Sequence, residues 1–267
     1  MKKQILLLTI VFAMSVSLTG CFEPSARSMG ATLMPAPLMH RAPADTASEV
    51  SLTATGFWGH SDDAYNVSDL DAGGGSLDLT YRWSGKMAPF FLNVAVGGFG
   101  GSLKFGCDDA YGCNKDSKSD QKYISWLETK AGRKQYSFWN VQERVLVGAD
   151  ASSSMVIVGM GAGLQFFQGN SDYDDIRAAL DDEKLVQDID GKADYGFVTA
   201  YWFGFNLGHQ ASLGNAVLEY DVLHKGDASD WTSSLKLTYR HPTGFFVGGA
   251  SNSLMEWTVH AGKQFVF

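Results

Sequence analysis

The sequence predicts an all-β protein, namely an antiparallel up-and-down β-barrel of about ten strands, in a range of roughly eight to twelve, with a short helix in an external loop. From Val50 onward, large apolar residues alternate with small or polar ones, which is the pattern of a strand with two different faces. The chain contains 30 Gly and only 6 Pro, and no proline falls between Pro89 and Pro242. Because Pro cannot donate to a strand ladder, this long stretch suits a continuous sheet.

The composition excludes several other classes of protein. Hydrophobic residues make up 45% of the chain, aromatic residues 13% and charged residues 19%, and the formal net charge is -8. The apolar content is too high for a disordered chain, and the Glu, Lys and Leu richness of a coiled coil is absent. A net acidic chain does not fit a nucleic-acid partner.

The first twenty residues have the layout of a secretory signal. Lys2 and Lys3 precede an apolar run over residues 5–16, which is too short to span a bilayer comfortably. Removal of this segment takes two positive charges away, so the net charge changes from -8 to -10. The mature chain is therefore expected to be acidic.

The signal ends in the tetrapeptide L-T-G-C at positions 18–21, which resembles the lipobox of bacterial lipoproteins. The resemblance implies cleavage after Gly20 and acylation of the thiol and the new amino group of Cys21. Phe22 in place of Asp at the following position implies sorting to the outer membrane. The alternative is a plain signal peptide that has a Cys near its cleavage site.

Residues 21–47 are rich in Pro, Ala, Ser and Met without a regular period, and they are interpreted as a flexible, lipidated tether. Four apolar residues of the tether leave two other placements open, which are docking on the body and entry into its lumen as a plug. They are Leu33, Met34, Leu38 and Met39. The predicted organisation is a signal peptide over 1–20, the tether over 21–47 and a barrel over 48–267.

Ten runs of alternating residues are the candidate strands, each with one large apolar face and one small or polar face. They occupy residues 50–58, 76–83, 90–97, 139–147, 156–166, 200–207, 215–222, 231–240, 245–250 and 257–267. If the barrel spans a membrane, large residues such as Leu79, Val158 and Leu237 point outward to lipid. In a soluble barrel they would instead line a dry internal pocket.

The links between these runs alternate strictly between short and long. Short links fall at about 85–88, 149–153, 208–211 and 241–244, and long links at about 61–75, 105–133, 170–194, 223–230 and 251–255. Together with an even strand number and a terminal Phe267 preceded by apolar residues at every second position, this rhythm resembles outer-membrane β-barrel proteins. The resemblance implies short periplasmic turns, longer external loops, periplasmic termini and recognition by the barrel-assembly machinery. Lys263 is the exception to the apolar residues at every second position before Phe267.

Aromatic residues near the strand ends are expected to form girdles at the two membrane interfaces. They are Trp58, Tyr81, Trp83, Trp231, Tyr239 and Trp257. Residues 121–133 fit a short helix, a loop hairpin or an added strand. A short acidic helix is expected within residues 172–188, with Ser171 as its N-cap.

Cys107 and Cys113 lie in a long external loop and are expected to form a disulfide, since the protein is exported. More than half of the 29 acidic residues also fall in the long loops. A solvated, repulsive surface is the preferred interpretation of these acids, and weak binding of divalent cations is the alternative. No resident cofactor is predicted.

Seven charged residues on the small, polar face of the strands would point into the lumen. They are Asp78, Arg82, Arg144, Glu219, Asp221, Lys236 and Arg240. The arginines are expected near the periplasmic mouth and the acids in the outer half. Two alternatives follow, a charge-separated lumen that biases ion passage or paired charges that plug the barrel. Glu143 falls on the lipid-facing side, so a bulge or an interface position is expected there.

The predicted function is that of an outer-membrane β-barrel lipoprotein with a structural, adhesive or narrow-pore role. Its expected partners are membrane lipid, as bilayer and as covalent anchor, and no nucleic acid. The alternatives are a lipid-tethered soluble barrel that binds an apolar ligand and a barrel enzyme. Residues 251–253 and Glu256, beside His241 or His260, form only a weak catalytic pattern, so no enzyme activity is predicted.

Overall fold

The computed structural model describes residues 25–26, 36–38, 48–61, 67–83, 90–106, 118–171, 176, 180, 188–189, 195–225, 231–252 and 255–267. Ten strands form one closed barrel in which neighbouring strands are antiparallel, so the predicted fold class is confirmed. Among the described residues, no helix is long and apolar enough to cross a membrane.

Most of the described residues belong to strands. The barrel strands are β2 (Glu49–Ser61), β3 (Val67–Arg82), β4 (Phe90–Phe105), β5 (Gln135–Ser152), β6 (Val156–Ser171), β8 (Tyr195–Asn206), β9 (Asn215–Lys225), β10 (Trp231–Arg240), β11 (Phe245–Asn252) and β12 (Trp257–Val266). The two-residue strands β1 (Ser25–Ala26) and β7 (Asp188–Ile189) form a separate parallel pair. Helix α1 spans Lys118–Leu127, and a single 3-10 turn spans His209–Ala211.

Each barrel strand pairs with its neighbours along the chain, and β12 closes the barrel against β2. The first barrel strand starts, and the last one ends, at the same end of the barrel, which we call the turn end. The links there are 83–89, 153–155, 207–214 and 241–244. At the opposite end, the loop end, the links are 62–66, 106–134, 172–194, 226–230 and 253–256.

The predicted strict alternation of short and long links is wrong. At the loop end only 106–134 and 172–194 are long, and the link 207–214 at the turn end is longer than 62–66. The expected loop over 61–75 is mostly strand, since Gly73–Gly75 continue the ladder of β3 opposite β2. Glycines have no side chains that could alternate between two faces. The period-two pattern therefore ends at Gly75, although the strand continues through the glycines.

The outer face of the barrel is apolar and the inner face is mostly polar. Leu79, Val158 and Leu237 are 51%, 42% and 58% exposed, as expected for a barrel in a membrane. Their neighbours on the inner face are buried, for example Thr80 and Thr238. A soluble barrel has the opposite arrangement, and an exposed apolar belt around a whole barrel is a lipid-facing surface.

The aromatic girdles predicted from the sequence are present on the outer face. All six residues are exposed there. At the loop end the rings of Trp58 and Trp257 pack edge to face with centroids 4.9 Å apart. At the turn end Lys263 fits the interface because its Nζ donates to the carbonyl of Thr243 at 2.6 Å and lies 3.8 Å from the ring centre of Phe245.

The loop end of the lumen is filled by an apolar cluster. Its members are Phe57, Leu70, Ala72, Phe99, Leu103, Phe105, Tyr123, Tyr136, Phe138, Leu180 and Met255. Tyr123 comes from α1, and Trp126 of α1 packs edge to face on Phe105 with ring centroids 5.2 Å apart. Residues 121–133 therefore form a helix and turns that cover the lumen. A short helix was also predicted within residues 172–188. Ile176 and Leu180 are helical, Asp188 belongs to β7, and the remaining residues of this range lie outside the described residues.

Glu143 remains on the lipid-facing side without a bulge, so that expectation is wrong. The register of β5 is continuous with both neighbours, and Glu143 lies opposite Val96 on β4 and Phe166 on β6. It is midway along the 18 residues of β5, between the exposed Val141 and Val145. A carboxylate in this position interrupts the apolar belt.

We expect Glu143→Val to stabilise the barrel in lipid by about 1–2 kcal/mol, because charged side chains on the lipid face are unfavourable near the bilayer centre. The measurement is a urea titration of folding into phospholipid vesicles, followed by the mobility of folded and unfolded protein in gels. Val145→Glu on the same face is the matched control and should destabilise the barrel. Lower stability of Glu143→Val would contradict the lipid-facing placement.

Candidate functional site in the barrel lumen

A short piece of the N-terminal tether lies inside the barrel. Ala36, Pro37 and Leu38 are all buried. The amide of Leu38 donates to Oε2 of Glu219 at 2.8 Å, and Nζ of Lys236 donates to the carbonyl of Ala36 at 3.1 Å. Of the placements left open for the tether, Leu38 adopts the one inside the lumen.

The other apolar residues of the tether, Leu33, Met34 and Met39, lie outside the described residues. Leu38 contributes to a second apolar cluster within the barrel. The other members of this cluster are Phe91, Leu146, Ile157, Phe167, Val198, Ala200, Trp202, Val217 and Leu223. Ala36 packs against Ala95 of β4. The tether segment is thus part of the packed interior.

Lys236 is the centre of the charge network that holds this segment. It faces Glu219 in the β9–β10 ladder, and Asp221 is two residues further on the same face of β9. Nζ lies 2.9 Å from Oε1 of Glu219 and also pairs with Asp221, and all three side chains are fully buried. Burying charges costs free energy, and the two ion pairs together with the bond to Ala36 offset that cost.

A second set of charges pairs on the opposite wall. Asp78 lies across Ala95 from Arg144 in the β3–β4–β5 ladder, and Nη2 of Arg144 is 3.3 Å from Oδ1 of Asp78. Ser76 donates to the other carboxylate oxygen at 2.9 Å. Because β3 begins at Val67, Asp78 lies nearer the turn end than expected.

Towards the turn end, Arg82 pairs with Asp150 at 3.4 Å and with Glu49 at 3.6 Å. Arg240, at the end of β10, is half-buried at the same end. Six of the lumen charges therefore form close pairs, which is the second of the two alternatives raised by the sequence. A lumen with its positive and negative charges separated along the axis is not present among these residues.

Several large apolar residues on the inner face of the barrel were not predicted from the sequence. A signal for them exists, since two bulky apolar residues in succession within a strand must point to opposite faces. Phe57 and Phe138, each followed by Trp, and Trp202, which follows Tyr201, all point inward. Trp202 fits because Gly159 lies directly opposite on β6, where a methyl group would be 2.5 Å from the indole ring.

The weak catalytic pattern is not assembled among the described residues. His241 lies in a turn-end link beside Thr243, whereas Ser251 is exposed near the loop end of β11. His260 is buried in the lumen, with Nε2 2.9 Å from the hydroxyl of Thr238. Ser253 lies outside the described residues.

Several predicted site residues also lie outside the described residues, namely Cys21, Cys107 and Cys113. Most of the acidic loop residues do as well. Asp71 is described, and its Oδ1 is 2.8 Å from Nδ1 of His60 on the outer face. Within the described part of the chain, no three His, Cys, Asp or Glu residues come together as metal ligands.

No protein-family model and no curated protein sequence matches this chain. Among solved structures, it is similar to a mutant of the monoaromatic hydrocarbon channel TodX, with 10% identity and a TM-score of 0.33 over 81% of this chain and 66% of that one. It is also similar to the translocator domain of the autotransporter NalP from Neisseria meningitidis, with 10% identity and a TM-score of 0.33 over 84% of this chain and 89% of that one.

A triple mutant of the Rhodopseudomonas blastica porin has 13% identity and a TM-score of 0.18 over 82% of this chain and 100% of that one. The chain spans less than two thirds of TodX. TM-scores this low carry no information about the function of this chain. Evidence on its function therefore has to come from the barrel itself.

We expect Lys236→Met to destabilise the barrel by about 3–5 kcal/mol, because it leaves two buried carboxylates without their cation. A triple variant that also carries Glu219→Gln and Asp221→Asn should recover most of this loss. The free energy of unfolding in phospholipid vesicles is the measurement. Asp71→Asn, which removes the exposed partner of His60, is the control and should change it by less than about 1 kcal/mol. A wild-type stability for Lys236→Met would contradict the network.

Proposed function

We propose that the protein is an outer-membrane β-barrel lipoprotein with a structural or adhesive role and a lumen closed to solutes. Its loop end would face the exterior of the cell and its turn end the periplasm. Cys21 would carry the lipid after cleavage behind Gly20. The bilayer is the main partner, and the barrel-assembly machinery would act during biogenesis.

The membrane placement is supported by the outer face of the barrel. An apolar belt between two aromatic girdles extends over all ten strands, interrupted on β5 by Glu143, and the charged side chains of Asp78, Arg144 and Lys236 are turned inward. This is the surface pattern of transmembrane barrels. It does not support the alternative of a soluble, lipid-tethered barrel, whose outer face would have to be polar.

The closed lumen is supported by one observation above all, the bonds of Lys236 and Glu219 to the main chain of Ala36 and Leu38. These bonds place a segment of chain across the interior at the level of the buried ion pairs. A ten-stranded barrel has little space to spare inside, and here both apolar clusters occupy it as well. A structural or adhesive role therefore fits better than a narrow pore.

The exposed working surface would then be the loop end. The links 106–134 and 172–194 are the longest of the barrel, and α1 stands over the lumen with Gln121, Lys122 and Ser125 exposed. Acidic residues are concentrated in these links. A surface of this kind suits contacts with other macromolecules or with the cell envelope, with no catalytic step.

Purified full-length protein in planar lipid bilayers should show no steady ionic conductance, because the lumen is occupied and its charges are paired. A variant in which residues 27–47 are replaced by a Gly/Ser segment of equal length is the comparison, and it should show more frequent channel events. Steady conductance of the wild-type protein would contradict the closed lumen and restore the narrow-pore alternative.

Cys21→Ser should abolish incorporation of labelled fatty acid and leave the body in the membrane fraction after carbonate extraction. The physical reason is that the barrel itself spans the bilayer, so it stays without the lipid. Release of a soluble, detergent-free body from Cys21→Ser cells would contradict the transmembrane barrel. Undiminished labelling would contradict lipidation at this residue.

A further inference from the structure

Three described parts of the N-terminal region lie at three different levels of the barrel. Ser25 and Ala26 of β1 pair with Asp188 and Ile189 of β7. Strand β7 belongs to the link between β6 and β8, so this pair lies at the loop end. Residues 36–38 lie in the lumen, and Glu49 begins β2 at the turn end. The order along the chain is thus loop end, lumen, turn end.

Chain length decides by which mouth the tether enters. Ten residue steps separate Ala26 from Ala36, and a fully extended chain of that length reaches about 35 Å. The strands that flank the link with β7 are β6 with 16 residues and β8 with 12, and with the tilt of membrane barrels they correspond to a wall about 30–40 Å high. A path down the outside and back up to the middle of the lumen is longer than the chain can reach, so entry is by the loop mouth.

The wall offers no other entrance. Every one of the ten strands is paired on both sides, including β12 with β2. From Leu38 a further ten steps lead to Ser48, and about 35 Å of chain is ample to leave by the turn mouth. The described residues 25–26, 36–38 and 49 thus lie at successive levels from the loop end to the turn end.

We propose that the N-terminal tether is threaded through the barrel, so that Cys21 lies beyond the loop end and its lipid would insert in the outer leaflet, on the cell surface. Cys21 precedes Ser25 by four residues, a reach of about 14 Å from the β1–β7 pair. This inference rests on the proposed membrane orientation. It reverses the expectation from the sequence that both termini of the mature chain are periplasmic.

Threading also sets an order of assembly. The acyl chains and the ten strands are at opposite ends of the tether, and the closed wall has no gap through which a chain could slip sideways. The tether must lie between the strands before β12 pairs with β2. The bonds from Lys236 and Glu219 to residues 36–38 then hold it in the lumen.

The first test is antibody access to an epitope tag in intact cells that make the full-length chain. One variant carries the tag between residues 24 and 25, a second carries it between residues 228 and 229 in a loop-end link, and a third between residues 242 and 243 in a turn-end link. We expect the first two tags to be accessible in intact cells, and the third only after permeabilisation.

The three tags separate failure of this inference from failure of the proposed function. If the loop-end tag is accessible and the tag before Ser25 is not, threading is overturned and the proposed orientation stands. If only the turn-end tag is accessible, the orientation itself is wrong, and the surface placement of Cys21 falls with it.

The second test places the tether in the lumen by cross-linking. Ala36→Cys with Ala95→Cys joins two neighbours inside the barrel, and Ala36→Cys with Val96→Cys is the matched control, because Val96 points outward. Both pairs are made with Cys107 and Cys113 replaced by Ala and with a protease site in the link 62–66. After oxidation and cleavage, we expect the fragments of the first pair alone to stay joined under denaturing, non-reducing conditions. Equal joining in both pairs, or in neither, would overturn the lumen placement.

Discussion

Hydrocarbon offers no hydrogen-bonding partner to a peptide group, and the rest of this barrel depends on that constraint. Each unpaired N–H or C=O in the lipid core costs on the order of several kcal/mol, so every strand needs a neighbour on both sides. The pairing of β12 with β2 supplies the last of these contacts. Closure then fixes the chemistry of both surfaces, because the outside must be apolar and the enclosed space must be filled.

The enclosed space is filled in two ways that divide the interior. Apolar side chains from the strands, from α1 and from the tether form two clusters. Paired charges occupy other positions on the inner face, with one pair joining β3 to β5 and another joining β9 to β10. A buried ion pair contributes little net stability, but removing one partner is costly. The charges therefore add little stability themselves. They instead penalise any structure in which one of their partners, including the main chain of the tether, is out of place.

The strands could be predicted because large apolar side chains alternate with small or polar ones along the sequence. The ten runs found in this way correspond to the ten barrel strands. The glycine run at 73–75 and the glycine-rich stretch at 97–101 carry no such pattern, so the strands extend beyond what the sequence indicates. Inward-facing charges could be placed on the correct face, but not their partners: Asp78 meets Arg144 only through a register set across three strands. The position of Leu38 depends on contacts 181 residues apart, which no local pattern reveals.

Lys236 and Glu219 hold the tether by its main chain, through the carbonyl of Ala36 and the amide of Leu38. Pro37 lies between them and has no amide hydrogen that would need a partner in the interior. A grip on peptide groups does not discriminate between side chains. The two bonds therefore tolerate many side chains in the tether, and the limits on its sequence come from the apolar packing of Ala36 and Leu38 and from the amide hydrogen at position 38, which proline lacks.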